Sequence, residues 1–240
     1  MKIKILYEDK DILAIDKPSG ISVHADGRSN DKTIVDWFLK KYPKVKNVGE
    51  PIFVDGKEIK KPGIVHRLDR ETSGVLVLAK NQKSFLFLKK QFQNREIKKI
   101  YNAIVSGSVK NDHGIINKPI GRSPSDFRRR LAGRGARGEL RDAITEYKVL
   151  KRFSTSKPFT YLEVKPKTGR THQIRVHMKY LNHPIVCDSL YDLKGFCPKN
   201  LSRMALHAKS IEFKNLKGET LKVESPIPKE FEKILDRKSS

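Results

Sequence analysis

Apolar residues come along this chain in short bursts separated by polar turns, and the spacing within each burst predicts an element. Lys2 to Glu8 alternates apolar and polar positions as a strand does, and Asp11 to Asp16 carries a second burst, Ile12-Leu13-Ala14-Ile15. Lys17-Pro18-Ser19-Gly20 then reads as a turn, because proline and glycine both interrupt regular structure. From Thr33 to Tyr42, Ile34, Trp37, Phe38 and more weakly Lys41 share one helical face, and Pro43 stops the helix. Tyr42 to Lys61 shows no period and is expected to be a loop. Ser73-Gly74 leads into the unbroken run Val75 to Ala79, the pattern of a strand buried on both faces. Asn81 is placed to cap a helix that carries Phe85, Leu88 and Phe92 at helical spacing.

The second half repeats this grammar. Ile97 to Val105 alternates as a strand with Tyr101, Ala103 and Val105 on one side, and Asn117 to Arg122 is short and turn-like. Ala143 to Leu150 and Phe159 to Val164 read as adjacent antiparallel strands joined by the polar loop Lys151 to Pro158. Ile174, Met178 and Leu181 fall at i, i+4 and i+7 and predict a helix from near Thr171 to before Pro184. Met204 to Phe213 and Leu221 to Val223 supply late strands, and Lys229 to Leu235 a closing helix. No repeat and no Pro- or Ser-rich linker divides the chain, and hairpin connections outnumber β-α-β alternations. The expected architecture is therefore one α/β (α+β) domain over residues 1–240, with a mixed, mostly antiparallel sheet flanked by helices.

Charge changes the picture more than composition does. The 240 residues are 37% hydrophobic and 32% charged, as in a soluble globular protein, but 51 Lys and Arg against 27 Asp and Glu leave a net charge of +24. That balance points to a polyanionic partner, nucleic acid in the first place. A membrane surface is the competing polyanion, yet no stretch approaches the roughly 18 apolar residues needed to span a bilayer, and the first residues lack an apolar signal core. The expected compartment is the cytoplasm. Cys187 and Cys197 form no C-x-x-C pair and are expected to be unpaired thiols in a reducing compartment. His172 and His177 are five residues apart, on neither one helix face nor one strand face, so a catalytic metal is not expected.

Candidate chemistry gathers in four places. His66-Arg67-Leu68-Asp69-Arg70-Glu71-Thr72-Ser73-Gly74 sets Asp69 between Arg67 and Arg70 just before a buried strand, and nearby cations favour the ionised carboxylate, the form that attacks carbon. The alternative is an Arg-Asp pair tying a surface turn. Tyr101 offers a ring on which a base could stack, a contact worth about 1–3 kcal/mol per base in single-strand binders, although core tyrosines are commoner. A helix starting at Thr171 puts His172, Arg175 and Lys179 on one stripe; should that stripe face Asp69, the planar fork of Arg175 could engage both carboxylate oxygens. Arg128-Arg129-Arg130 opens the densest basic segment, running through Gly133, Gly135 and Gly138 to Arg141, a loop suited to neutralising phosphates along a bent backbone.

These motifs, with Lys17-Pro18-Ser19-Gly20, Lys98-Lys99-Ile100-Tyr101-Asn102-Ala103, Ala143-Ile144-Thr145-Glu146-Tyr147, Thr168-Gly169-Arg170-Thr171-His172-Gln173-Ile174-Arg175, Asn182-His183-Pro184 and Leu206-His207-Ala208, resemble in order those of the RluA family of pseudouridine synthases. The resemblance covers nearly the whole chain. It implies isomerisation of a uridine already inside RNA, with no cofactor and no metal. It implies Asp69 as the catalytic aspartate, Tyr101 as the active-site tyrosine and Arg175 as the basic residue that pairs with the aspartate. Arg67 would hold the RNA around a flipped base, and Arg70, Arg128, Arg129, Arg130, Arg170, His172 and Leu206 complete the expected RNA-contacting set. Flipping costs a few kcal/mol, which phosphate contacts and stacking would supply. The carboxylate has two routes, attack at C1′ or removal of a C2′ proton to give a glycal, and the residues do not choose between them. Because the catalytic pattern begins within residues 1 to 10, the S4 RNA-binding module of many relatives is expected to be absent. The chain is expected to act as a monomer on ribosomal RNA, with transfer RNA possible. A catalytically silent RNA-binding or ribosome-assembly module is the alternative from another class, and an aspartate-based hydrolase lacks a second carboxylate at a usable motif.

Overall fold

The structure, a computed structural model, describes residues 1–25, 31–54, 57–59, 61–193 and 195–236. In chain order its strands are β1 (Lys4–Glu8), β2 (Ile12–Lys17), β3 (Ile52–Val54), β4 (Lys57–Ile59), β5 (Ser73–Ala79), β6 (Lys98–Ser106) and β7 (His113–Asn117). There follow β8 (Ile120–Arg122), β9 (Arg130–Ala132), β10 (Arg137–Arg141), β11 (Ile144–Phe153), β12 (Phe159–Pro166), β13 (Leu206–Lys214) and β14 (Thr220–Glu224). The helices are α1 (Ile34–Lys41), α2 (Gln82–Gln93), α3 (Gln173–Tyr180) and α4 (Lys229–Leu235). Internal contacts group these elements into two compact units, Met1–Lys98 with Ser210–Ser225, and Lys99–Lys209 with the chain from Pro226 onward.

In the first unit, β2 pairs antiparallel with β1 and with β5. Every residue of β5 is buried, as its unbroken apolar run requires. Thr33 caps α1 in a capping box with Asp36, and Asn81 caps α2 by accepting from the Ser84 amide, so both helices begin where the sequence predicts. Gln91 of α2 exchanges two hydrogen bonds with the backbone of Lys214, and β13 pairs with β14 from Ser210 to Lys214. The stretch expected to be a loop from Tyr42 to Lys61 instead holds a short 3-10 helix, Pro43–Asn47, and the antiparallel pair β3 and β4. Its residues 55, 56 and 60 lie outside the described residues. The strands are only three residues long, too short to show a period.

In the second unit, β11 lies between β7 and β12, and β12 also pairs with β6, all antiparallel. One hydrophobic cluster includes Ala103, Val105, Leu162, Val164, Ile174, Met178, Leu206 and Phe231. Two sequence expectations fail here. Asn117 to Arg122 is not merely a turn, and the basic segment is not a loop: β8 is the middle strand of a small antiparallel sheet between β9 and β10. All five residues of β10 are exposed, so no apolar alternation could announce it, while Gly133 and Gly135, at φ of +72° and +86°, turn the chain between β9 and β10.

Cys187 and Cys197 are also not free thiols but a disulfide, their Cα atoms 4.8 Å apart. Cys187 adopts a left-handed φ of +60° and the chain turns through Asp188 N–H to Ile185 O and Asp192 N–H to Asp188 O, which folds the segment back. A spacing rule built on C-x-x-C says nothing about such a closure. Loop entropy alone assigns a ring of this size about 2–3 kcal/mol.

Candidate active site

The Asp69 motif is an irregular segment that delivers the chain into β5, and it is hydrogen-bonded to the Lys17-Pro18-Ser19-Gly20 turn. Lys17 is fully buried, and its ammonium donates to the carbonyls of Pro18 (2.8 Å), Ile21 (2.8 Å) and Arg70 (3.0 Å). The Gly20 amide donates to the same Arg70 carbonyl at 2.9 Å, Ser19 Oγ to the Glu71 carbonyl at 2.6 Å, and Arg70 Nε back to the Gly20 carbonyl at 3.0 Å. On the other side of Asp69, His66 stacks on Phe92 and its Nε2 accepts from the Val77 amide at 3.0 Å, which puts the imidazole proton on Nδ1. Asp69 itself is half-buried, and its carbonyl accepts from Thr72 N–H at 3.1 Å. The two flanking arginines turn to other partners. Arg67 Nη1 donates to His24 Nε2 at 3.2 Å, and Arg70 lies 3.5 Å from Asp31 and 3.7 Å from Glu71.

In the second unit, Tyr101 of β6 is half-buried against the hydrophobic cluster and stands opposite Val164 of β12. Lys99, two residues earlier and so on the same strand face, donates to the Thr168 carbonyl at 3.3 Å. Burial pushes this amine down to about 8. The Thr168-Gly169-Arg170-Thr171-His172-Gln173 turn beside it is organised by Gln173. Its Oε1 accepts from Thr168 Oγ1 (2.6 Å) and the Arg170 amide (3.0 Å), and its Nε2 donates to Ile144 O and Thr145 Oγ1, both at 3.0 Å. The motif and the Ala143-Ile144-Thr145 segment are thus one hydrogen-bonded piece. Arg170 adds a contact from Nε to the Asp142 carbonyl at 3.0 Å.

The helix expected from Thr171 begins at Gln173, because His172 takes a left-handed φ of +57°. His172, Arg175 and Lys179 do not form one exposed stripe: every residue from Gln173 to Met178 is buried, and only Lys179 and Tyr180 reach solvent. The bidentate contact of Arg175 is made with Asp188, from Nε to Oδ2 at 2.7 Å and from Nη2 to Oδ1 at 2.8 Å. Asp188 is 1% exposed and also accepts from the amides of Leu190 and Tyr191. The Tyr191 ring lies 5.0 Å from the Arg175 guanidinium. His177 is fully buried between Thr145 Oγ1 and the Lys118 carbonyl, and burial lowers its pKa. Leu206 is 3% exposed within the hydrophobic cluster, so it can offer a wall but no polar contact.

The basic segment lies on and around the small sheet of β8, β9 and β10. Arg128 is exposed but doubly hydrogen-bonded to Asp126, whose carboxyl it holds down to about 2; Arg129 lies 3.5 Å from the same carboxylate. Arg130 Nη1 donates to the Phe127 and Arg129 carbonyls. Arg122, Arg134, Arg137 and Arg141 are exposed as well. Sequence reading overlooked Lys17, His24, Lys99, Asp188 and Tyr191. Lys17 and Lys99 sit inside the motifs quoted above, but nothing in a string of letters marks a lysine as drawn away from water.

A family model described as RNA pseudouridylate synthase matches residues 11–180. A protein of Synechocystis named as an uncharacterized RNA pseudouridine synthase is 36% identical over 234 residues, 97% of this chain and 68% of its own length. Ribosomal large subunit pseudouridine synthase D of Borreliella burgdorferi is 39% identical over 230 residues, 95% of this chain and 66% of its own. The solved structure of human RNA pseudouridylate synthase domain containing 1 aligns with a TM-score of 0.73 at 26% identity, over 95% of this chain and 84% of that one. The chain spans about two thirds of the length of these two curated relatives. Among the described residues no helix is long and apolar enough to cross a membrane. With a family model matched over more than half of its residues and relatives of this identity along nearly all of it, the chain belongs to the RNA pseudouridylate synthase family.

Proposed function

We propose that this chain isomerises specific uridines within structured RNA to pseudouridine, ribosomal RNA first and transfer RNA second. The observation that carries the reading is the Asp69 loop: a half-buried carboxylate on a segment fixed by Lys17, Ser19 and Gly20, in a chain of this family. Relatives named as ribosomal large subunit enzymes favour ribosomal RNA as the substrate. In the reaction the C1′–N1 bond breaks, a C1′–C5 bond forms, and the proton lost from C5 is balanced by one gained at N1. Asp69 acts as nucleophile or base, Tyr101 receives the base on its ring, and Arg175 is the basic residue of the reaction. Arg67, Arg70, Arg128, Arg129, Arg130, Arg170 and His172 contact the RNA, and Leu206 walls the base. The two units serve as one catalytic domain, and the chain works as a monomer in the cytoplasm, where ribosomal RNA is made; its +24 charge disfavours self-association.

Chemical mapping of pseudouridine in total RNA from cells with and without the protein tests the reading. One or more positions should vanish without it and return with the wild-type chain. Asp69→Ala should restore none of them, a loss of about 1,000-fold or more in rate, while RNA binding stays within a few-fold. A restored position would remove Asp69 from the chemistry, and an unchanged map would remove the reading itself.

A further inference from the structure

The turn Asp188-Ser189-Leu190-Tyr191 grips a single guanidinium from two directions. Asp188 takes the edge of Arg175 through Nε and Nη2, and Tyr191, three residues on, lies 5.0 Å from it across the ring face. The grip is itself held, since Asp188 Oδ1 accepts the backbone amides of Leu190 and Tyr191 at 3.0 and 3.1 Å. Tyr191 also reaches outward. Its hydroxyl oxygen accepts from the Arg130 amide at 2.9 Å, at the start of β9, and stands 2.9 Å from His172 Nδ1. The Tyr191 hydroxyl therefore bridges the Arg130 amide and His172 Nδ1. One tyrosine therefore touches the basic sheet, the turn that opens α3, and Arg175.

We propose that Asp188 and Tyr191 are positioning residues of the isomerisation: Asp188 fixes the orientation of Arg175, and Tyr191 ties that guanidinium to His172 and to the basic sheet. The proposal rests on the functional reading above. The pair neutralises the charge of Arg175 on one edge and so dictates where its remaining edge points. Arg175 cannot swing without stranding a buried carboxylate, and breaking a buried ion pair is far costlier than breaking an exposed one. A displacement of about 1 Å at such a group can cost about 100-fold in rate.

The test is a kinetic cycle on the full chain with an RNA substrate that the wild type modifies. Asp188→Asn should lower kcat by about 10- to 100-fold with KM for RNA changed less than about 3-fold. Tyr191→Phe keeps the ring but loses the bridging hydroxyl, and should raise KM several-fold with kcat nearly kept. The double variant Arg175→Gln/Asp188→Asn should be no slower than Arg175→Gln alone, because the Asn oxygen can still accept the Leu190 and Tyr191 amides and only the fork to Arg175 is lost. Multiplying losses in the double variant, or wild-type kcat in Asp188→Asn, would overturn the proposal. Should Asp188→Asn fail to fold, the KM-against-kcat split of Tyr191→Phe decides. Should the wild type modify no RNA, the functional reading falls. The positioning claim is then judged by the Arg175 Nε–H resonance in a labelled protein, which should exchange slowly in the wild type and quickly in Asp188→Asn; equal exchange would overturn it.

Discussion

Two lysines, one in each unit, are drawn away from water, Lys17 wholly and Lys99 in part, and the fold treats them in opposite ways. Lys17, beneath the Asp69 loop, is fully buried and has three backbone carbonyls at 2.8 to 3.0 Å. Lys99, at the start of β6 beside the Thr168-Gly169 turn, has one carbonyl at 3.3 Å, and burial pushes its amine down to about 8. A buried cation supplied with oxygen acceptors is a structural fastener; one left under-supplied is a cost that the fold carries. Lys99 shares its strand face with Tyr101. Lys17 therefore serves stability, whereas Lys99 costs it.

The sharpest way to break that assignment is Lys17→Met, which keeps the side-chain volume and removes the donors. Three hydrogen bonds from a charged group disappear and the Pro18 and Ile21 carbonyls lose the ammonium they bonded, so stability should fall by about 2–4 kcal/mol, read as a lower denaturation midpoint at unchanged m. Protease cleavage within residues 66–72 should accelerate, because Arg70 loses one of the donors that hold its carbonyl. A variant as stable as the wild type would mean that the Ser19 and Gly20 hydrogen bonds alone hold the loop.

What the sequence disclosed about these regions divides along the same line. The Asn81 cap and the β11–β12 hairpin are written in neighbouring residues, so spacing was enough to find them, whereas the Asp69 motif stood out from a surface turn only through its resemblance to a family. The three acceptors of Lys17 include one 53 residues away, and the same letters that form its cage read locally as a simple turn. Asp188 is another such case: its partner Arg175 is 13 residues upstream, and no period or cap marks a carboxylate destined for a buried fork. β10 escaped for the opposite reason, since a strand exposed at all positions has no apolar pattern to show. The cysteine pair escaped because a closing loop depends on backbone turns, here the left-handed Cys187, rather than on spacing.

Lys99→Met should act in the reverse direction to Lys17→Met, and pH gives the sign. The folded amine titrates at about 8 and the unfolded one near 10.5, so between those values the unfolded chain binds more protons and wild-type stability rises with pH. Below pH 8 the full penalty is present, on the order of 3 kcal/mol for a shift of this size. Allowing for the lost hydrogen bond to Thr168, the variant should be about 1–2 kcal/mol more stable than wild type at pH 7. The two should converge as pH approaches 10.5. Denaturation midpoints at pH 7, 8, 9 and 10 check this, and parallel curves for the two proteins would show that Lys99 is not strained by burial.

The same contrast between supplied and unsupplied cations reaches the surface in its weakest form. Arg128 is already doubly bonded to Asp126, whereas Arg137 of β10 is exposed and makes no ion pair among the described residues. A phosphate must compete with Asp126 for Arg128 but meets Arg137 unopposed, so the two arginines should differ in the counterions they release. Arg137→Gln should reduce the slope of log K against log salt for RNA binding by about 0.7 to 1 unit, and Arg128→Gln by less than half of that. Asp126→Asn frees Arg128 and should bring the Arg128→Gln effect up to that of Arg137→Gln. Equal slopes for all three backgrounds would mean that RNA phosphates displace the carboxylate at no cost, and that local pairing of a cation, decisive for the buried Lys17, carries no weight on the exposed sheet.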